Sequence, residues 1–577
     1  MEKTISYIKK NYIEVISVSI ITILALVLRL IVIKNYGDLW LDELYSWYFA
    51  KQKFVFGTVW ELLKQDLHMP LYFVILHFWM KIFGKSDISM HLCTILVSIP
   101  LIPLSFYLMK NLFNKTAGYF AAVLFAINTF CIYYSVEVRF YGLVFVLTLL
   151  SAFYFVKMVE NPEKKNSLGF IISHSLLMYT FSITPLLTLF YGIVGGLYLL
   201  NKNKSFLNEY CKRFYLIIAI AVPAVIFNIY NIIVMHKNFC SFSKDIYFFD
   251  WKILCDILEN YFTSQNVQIV TGALNFYANM FEHIHEGFYL IFVLVPILVG
   301  IGGLLKSLCS KNEKLYLFLC PSILFLISAL LLASVGAISF LTKYSSIVYP
   351  VIICAVCYGL SKFNLKIISY SIFVLFVLLN IVSVLLQPMS VYNLHRKELG
   401  NLTQVMNDII KPREDDIFII PYSGNKVMRY IPKGKLLHFF ADDAILLKDE
   451  ESKSFYFDEL FKKELNRGNV KHYLQPDLSE GKPFVLYHII LHDNQIDKMK
   501  KGQRLIFVNY RQSFTTNLLK NWQYLYYSDI YDGMNMFVFL MSSVIHDTMQ
   551  IAEMYLKPVQ DYHDKERDYS IFVYEKQ

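Results

Sequence analysis

Along residues 1–387 the chain alternates long apolar runs with short polar breaks. The runs are too long and too evenly apolar for one face of a soluble helix. A helix needs about 20 consecutive apolar residues to cross a hydrocarbon layer. Runs that meet or approach this length occupy 13–34, 88–109, 116–135, 140–158, 167–183, 184–200, 214–235, 286–305, 315–335, 343–361 and 365–387. They predict about 11 transmembrane helices. The first follows Lys3, Lys9 and Lys10, the polarity of a signal peptide, but it continues to Ile33 without a small-x-small cleavage site. It is therefore expected to remain as a span. A further stretch, 69–84, is helical in pattern but only about 16 residues long, and it carries His77 and Lys81. That length fits either a crossing or an amphipathic helix lying at the interface; the placement of the basic turns selects the interface.

After Gln387 the pattern changes abruptly to ordinary charged, globular sequence. Strand-like runs occur at Asp416–Tyr422, Pro483–Ile490, Arg504–Asn509, Met536–Leu540 and Tyr569–Tyr574, with helical spacing at Leu399–Ile410 and Phe455–Leu465. The fold class expected is a polytopic α-helical membrane protein over 1–387, followed by an α/β or α+β domain over 388–577.

Composition strengthens the membrane reading. The chain has 577 residues, 56% of them hydrophobic and only 17% charged, against about 25% charged in soluble proteins. Disorder is excluded, and a wholly soluble chain is not expected. The net charge of +9 comes with 54 Lys and Arg scattered between apolar runs rather than gathered in a patch, so it is assigned to topology and not to nucleic acid. With 69–84 held at the interface, one side of the membrane receives Lys110 and Lys115; Lys157, Lys164 and Lys165; Lys202, Lys204, Lys212 and Arg213; Lys306, Lys311 and Lys314; and Lys362 and Lys366. By the positive-inside rule that side is the cytoplasm. The expected placement is the cytoplasmic (inner) membrane, with a cytoplasmic N-terminus and four extracytoplasmic regions: 35–87, 136–139, 236–285 and the C-terminal domain.

Most of the nine cysteines lie inside apolar runs, Cys354 and Cys357 of the one C-x-x-C pair among them, and no zinc-like cluster is formed, so neither a zinc site nor a disulfide scaffold is implied. Cys240 and Cys255 share an expected outer loop, and a bridge between them is left as an alternative that spacing alone does not decide.

Four short motifs fall on the outer side. Asp42-Glu43 sits among Leu, Trp and Tyr, where desolvation raises a carboxylate's pKa and suits it to accept a proton. The alternative is that Asp42 caps a helix starting at Glu43. His68-Met69-Pro70-Leu71-Tyr72 opens the interfacial helix, with Pro at an ordinary helix start. Glu137-Val138-Arg139-Phe140-Tyr141 fills a short outer turn, and Lys343-Tyr344 opens the tenth run. Charges at span ends often only reach for headgroups. Their shared side is what makes a site: Arg139 and Lys343 suit a phosphate, Arg through its fork and Lys as a point charge.

The Asp42-Glu43 pair after the first span, the His68-to-Tyr72 element leading to Leu76, Trp79 and Phe83-Gly84, and Glu137-x-Arg139-x-Tyr141 together resemble the GT-C glycosyltransferases. Within these they are similar to the protein O-mannosyltransferases, the lipid A aminoarabinose transferases and their bacterial relatives. The likeness spans roughly residues 10–390. It implies transfer of a sugar, hexosyl or pentosyl, from a polyprenyl-phosphate donor to a lipid, glycan or protein acceptor, with inversion at the anomeric carbon. By resemblance Asp42 matches the catalytic carboxylate and Glu43 its neighbour. His68 falls where relatives place a His or Lys near the donor phosphate, and Lys343-Tyr344 matches an Arg/Lys-Tyr element used similarly. Glu137, Tyr141, Tyr344 and Tyr72 are expected to bind substrate. Relatives often carry a second Pro where Met69 stands and a His around Thr180-Phe181-Ser182. No cofactor is required, although Asp42, Glu43 and Glu137 would accept a divalent cation. Two other functions fit the same topology: a lipid-linked sugar flippase, and a polysaccharide ligase using a diphosphate-linked donor.

Overall fold

The computed structural model describes residues 11–34, 38–39, 41–65, 68–202, 204–238, 252–262, 295–335, 340, 342–386, 402–419, 429, 433–437, 496–510, 549–564 and 569–577. Two compact units emerge. The first comprises Met1–Tyr36, Phe49–Asn238 and Tyr247–Asn393; the second comprises Gly37–Tyr48, Phe239–Ile246 and Leu394–Gln577.

The first unit is a helical assembly that follows the apolar runs of the sequence. Six helices among the described residues are long and apolar enough to cross a membrane: Tyr12–Lys34, Asp87–Leu112, Tyr141–Glu160, Thr184–Lys202, Lys204–Phe227 and Glu313–Ser334. A seventh is added if Lys115–Ile127 and Thr129–Val136, bent by 58° at their junction, form one broken span. Val295–Leu308, Tyr349–Ser361 and Lys366–Ile381 are apolar but shorter. Among the described residues the expected count of about 11 is not reached by length; residues 286–294 of one expected run lie outside them. One reason is local: the 343–361 run divides into a 3₁₀ turn, Thr342–Ile347, and the helix Tyr349–Ser361.

The Leu71–Phe83 helix occupies the segment expected at the interface. At about 1.5 Å per residue its 13 residues span about 20 Å, well short of a bilayer core. Tyr72, Phe73, Leu76, His77 and Met80 are buried on one face, while Phe78, Ile82 and Phe83 are exposed on the other. Gly84, at φ 87° and ψ 172°, takes a positive-φ extended conformation open mainly to glycine, which stops the helix. The buried face is pinned by polar contacts, with Tyr72 Oη against Thr94 Oγ1 at 2.7 Å and Trp79 Nε1 donating to the Ser89 carbonyl at 2.8 Å.

The break at Asn128 is the main irregularity of this unit. A helix end inside hydrocarbon has no water to satisfy its free backbone groups, and two side chains take them up here. Asn128 caps the second half by accepting from Cys131 N at 3.2 Å. Arg29, 1% exposed in the first span, takes the first half: Nη2 donates to Phe125 O at 3.1 Å and Nη1 to Ala126 O at 3.2 Å. Its Nε reaches across the break to Ser135 Oγ at 2.6 Å. With Nη1 also on Ala25 O at 3.0 Å and Nη2 on Cys131 Sγ at 3.5 Å, every N–H of the fork is engaged.

Among the described residues of the second unit are strands β1 Ile417–Ile419, β2 Lys435–Leu437, β3 Arg504–Tyr510, β4 Lys557–Asp564 and β5 Tyr569–Glu575, which form one sheet in the order β2-β1-β3-β5-β4. β1 pairs in parallel with β2 and β3; β5 pairs antiparallel with β3 and β4. Arg504 grips Asp416 through two bonds, Nε to Oδ1 at 2.9 Å and Nη2 to Oδ2 at 2.6 Å. It also donates to the Ile410 and Lys411 carbonyls that end the preceding helix. The expected strands 483–490 and 536–540, the helix 455–465 and residue Cys240 lie outside the described residues.

Replacing Arg29 with Leu should destabilise the detergent-solubilised protein by about 3–5 kcal/mol, because buried carbonyls lose their donors. Arg29→Lys, with a point charge in place of the fork, should recover part of the loss. Unchanged thermal or denaturant unfolding of Arg29→Leu would show that the break does not depend on this side chain.

Candidate functional site

Within the first unit, three separate segments bring the candidate cations together. The Thr129–Val136 helix ends at Glu137, whose N–H donates to Tyr133 O at 3.0 Å. A tight turn, closed by Arg139 N on Glu137 O at 2.6 Å, then feeds the Tyr141–Glu160 helix. Glu137, Arg139 and Tyr141 are all buried, at 2%, 3% and 0% exposure. These are not side chains spread onto headgroups, as charges at a span end often are.

His68, just ahead of the Leu71–Phe83 helix, meets this turn, with Arg139 Nη2 3.1 Å from His68 Nε2. A guanidinium can only donate, so Nε2 accepts in this contact and His68 orients Arg139. The Arg139 guanidinium also lies 5.4 Å from the Phe140 ring centre, an arrangement that holds it in place by cation–π attraction.

The third segment is the 3₁₀ turn with Lys343 and Tyr344, both half-buried. The Tyr141 phenol lies within electrostatic reach of Lys343, Arg139, Tyr344 and Glu137 together. Lys343 is 5.8 Å from the Tyr344 ring centre. The floor of the cluster is thus buried and its Lys343–Tyr344 edge is open.

One residue of this cluster was not singled out from the sequence. Phe181 packs against Phe140 at 5.4 Å, Tyr141 at 6.4 Å and Tyr344 at 6.4 Å between ring centres. It occupies the region where relatives often carry a His, and it joins the two cationic motifs with a ring. Its turn is fixed by Leu71 N donating to Tyr179 O at 2.9 Å.

Tyr72 is fully buried, and its hydroxyl is engaged with Thr94, a contact that packs the Leu71–Phe83 helix.

Asp42 and Glu43 fall in the second unit. Their helix, Leu41–Ala50, has both carboxylates in its first turn, so Asp42 is inside the helix and is not the cap expected as the alternative. Carboxylates there are favoured by the helix dipole. The two differ in burial: Glu43 is 0% exposed, while Asp42 is only half-buried. No group of three or more His, Cys, Asp or Glu among the described residues is arranged to hold a metal ion, and no step is assigned to one.

Comparison with known proteins agrees with this architecture. Residues 67–230 match the family profile of dolichyl-phosphate-mannose-protein mannosyltransferases. That segment contains His68, Glu137, Arg139, Tyr141 and Phe181; Asp42, Glu43, Lys343 and Tyr344 fall outside it. No curated protein sequence matches the chain. Among solved structures it is similar to ArnT from Cupriavidus metallidurans in the apo state, with a TM-score of 0.54 at 10% identity over 96% of this chain and 97% of that one. It is also similar to the same protein bound to undecaprenyl phosphate, with a TM-score of 0.53 and the same identity and coverage. At that identity the likeness establishes the fold: the chain has the ArnT-like GT-C fold.

The burial difference makes a direct prediction. A carbodiimide with an amine nucleophile, applied to the folded protein, should modify Asp42 and spare Glu43 in peptide mass spectrometry. Equal labelling of the two would contradict the assigned orientation of the helix.

Proposed function

We propose that this protein is an integral-membrane glycosyltransferase that inverts configuration as it moves a sugar from a polyprenyl-phosphate donor to a lipid, glycan or protein acceptor on the outer face of the membrane. The observation that carries the reading is the meeting of Arg139, Lys343, Tyr141 and Tyr344 in one aromatic-walled cluster of the first unit. A lipid-borne phosphate is the ligand whose charge and position at a membrane edge suit two cations of this kind. The match over 67–230 and the similarity to a structure of ArnT holding undecaprenyl phosphate support the same donor class.

The reaction follows from these charges. The acceptor hydroxyl attacks the anomeric carbon opposite the phosphate; the new carbon–oxygen bond forms as the bond to the phosphate oxygen breaks. The hydroxyl proton passes to Asp42, the more accessible carboxylate of its pair, and the lipid phosphate leaves with the bonding electrons. Arg139 and Lys343 stabilise the charge that grows on it, an effect worth most where water is scarce. A single displacement needs one carboxylate base and no covalent sugar intermediate. Glu43, being buried, supports the helix that presents Asp42. The distribution of lysines supports an outer-face reaction, where a nucleotide sugar is absent and a lipid-linked one is the available donor.

Asp42→Asn should insert and fold normally while transfer falls about 10²–10⁴-fold, read by mass spectrometry of the glycosylated acceptor. Full turnover by that variant would remove Asp42 from the chemistry. Arg139→Ala and Lys343→Ala should raise KM for the lipid donor more than for the acceptor, whereas the reverse would reassign both cations to the acceptor. Monophosphate- and diphosphate-linked donors supplied in parallel separate this enzyme from a ligase, which would use only the diphosphate. Movement of labelled lipid-linked sugar across vesicles without any acceptor product would indicate a flippase.

A further inference from the structure

Behind the cationic cluster, still within the first unit, lies a continuous chain of buried polar groups. Asn128, at the helix break, uses its whole amide. Its Oδ1 accepts from Tyr349 Oη at 2.7 Å as well as from Cys131 N, and its Nδ2 donates to Tyr261 O at 2.9 Å and to Asn380 Oδ1 at 3.3 Å. Asn380 in turn donates to Phe376 O at 2.9 Å and Phe262 O at 3.4 Å. Tyr261 completes the chain, its hydroxyl donating to Ser345 O at 2.7 Å. Asn128, Tyr261, Tyr349, Asn380 and Ser345 are each 2% exposed or less.

The ends of this chain identify what it can do. One end is the start of the Thr129–Val136 helix, a rigid rod of 8 residues that leads directly into Glu137 and Arg139. The other end is Ser345, two residues beyond Lys343 in the 3₁₀ turn. Arg139 and Lys343 are far apart in sequence and come from separate elements, so nothing in the chain's covalent structure sets their spacing. A network that bonds the base of each element to the same asparagine does set it. The cost of burying five polar residues is large unless every group is partnered. Apolar side chains of similar volume would fill this space without that cost.

We infer that Asn128, Tyr349 and Tyr261 are positioning residues which hold the Lys343 turn at a fixed separation from Arg139, so that both cations engage one lipid phosphate. This rests on the phosphate-binding reading above, and it adds residues that touch neither substrate. Tyr261 is the sharpest probe, because Tyr261→Phe removes only the bond to Ser345 and leaves the ring packed against Phe130 and Tyr349.

The test is a double-mutant cycle on the full chain in detergent, with binding of undecaprenyl phosphate followed by native mass spectrometry. Tyr261→Phe should weaken binding about fivefold, the scale of one misplaced charged contact. In a Lys343→Ala background the same change should have no further effect, since there is no cation left to misplace; a merely structural role would weaken binding equally in both backgrounds. If Tyr261→Phe fails to fold, the cycle is run with Tyr349→Phe, for which the same non-additivity is expected. Equal effects in the two backgrounds, or none in the wild-type background, would overturn the positioning role while leaving the phosphate site standing. If the unmodified protein does not bind, or Lys343→Ala binds as tightly as it does, the phosphate site itself fails and the positioning role falls with it.

Discussion

A helix broken inside hydrocarbon must find protein partners for every backbone group that the break releases, since lipid offers none. At Asn128 those partners are Arg29 on one side and the asparagine's own amide on the other. Once both are in place the 58° bend is no longer a soft joint. The short helix beyond it points in one direction and delivers Glu137, Arg139 and Tyr141 to a buried corner. The same asparagine ties in Tyr349 and Tyr261, so the element that delivers Lys343 shares its anchor. The site's geometry is thus a consequence of how the break is satisfied.

That explains the chemistry the cluster suits. Arg139 is held from two directions, by His68 Nε2 and by the Phe140 ring, in a setting with little water. A guanidinium so fixed loses little conformational freedom when an anion arrives. Lys343, at the half-exposed edge, supplies a second charge on a flexible stem. An immobile fork and an adaptable point charge, with aromatic rings between them, favour an anionic group that enters from the membrane edge.

How far the sequence disclosed this varies with the kind of information each residue carries. The apolar runs located the helices of the first unit, and the 69–84 stretch was legible as one short helix, Leu71–Phe83, because length and hydropathy are local properties. The strands Arg504–Tyr510 and Tyr569–Glu575 were legible for the same reason. β4, Lys-Pro-Val-Gln-Asp-Tyr-His-Asp, was not: an edge strand half open to water has no apolar run to show. The motifs at Arg139 and Lys343 stood out singly, but their convergence is tertiary. Arg29 passed as one charge in an apolar stretch, although an ionisable residue within a span calls for a partner. Asn128 looked like any polar interruption, and Phe181 like any core aromatic. Tyr72 shared a motif with His68 and yet faces Thr94; motif membership says nothing of which way a ring turns.

The central claim is that Arg139 and Lys343 grip one phosphate borne by a lipid. An electron cryomicroscopy structure of the full chain in nanodiscs with undecaprenyl phosphate decides it most directly. The account requires the phosphate within hydrogen-bond distance of both side chains, beside Tyr141 and Tyr344. A phosphate bound elsewhere, or touching neither cation, would contradict it.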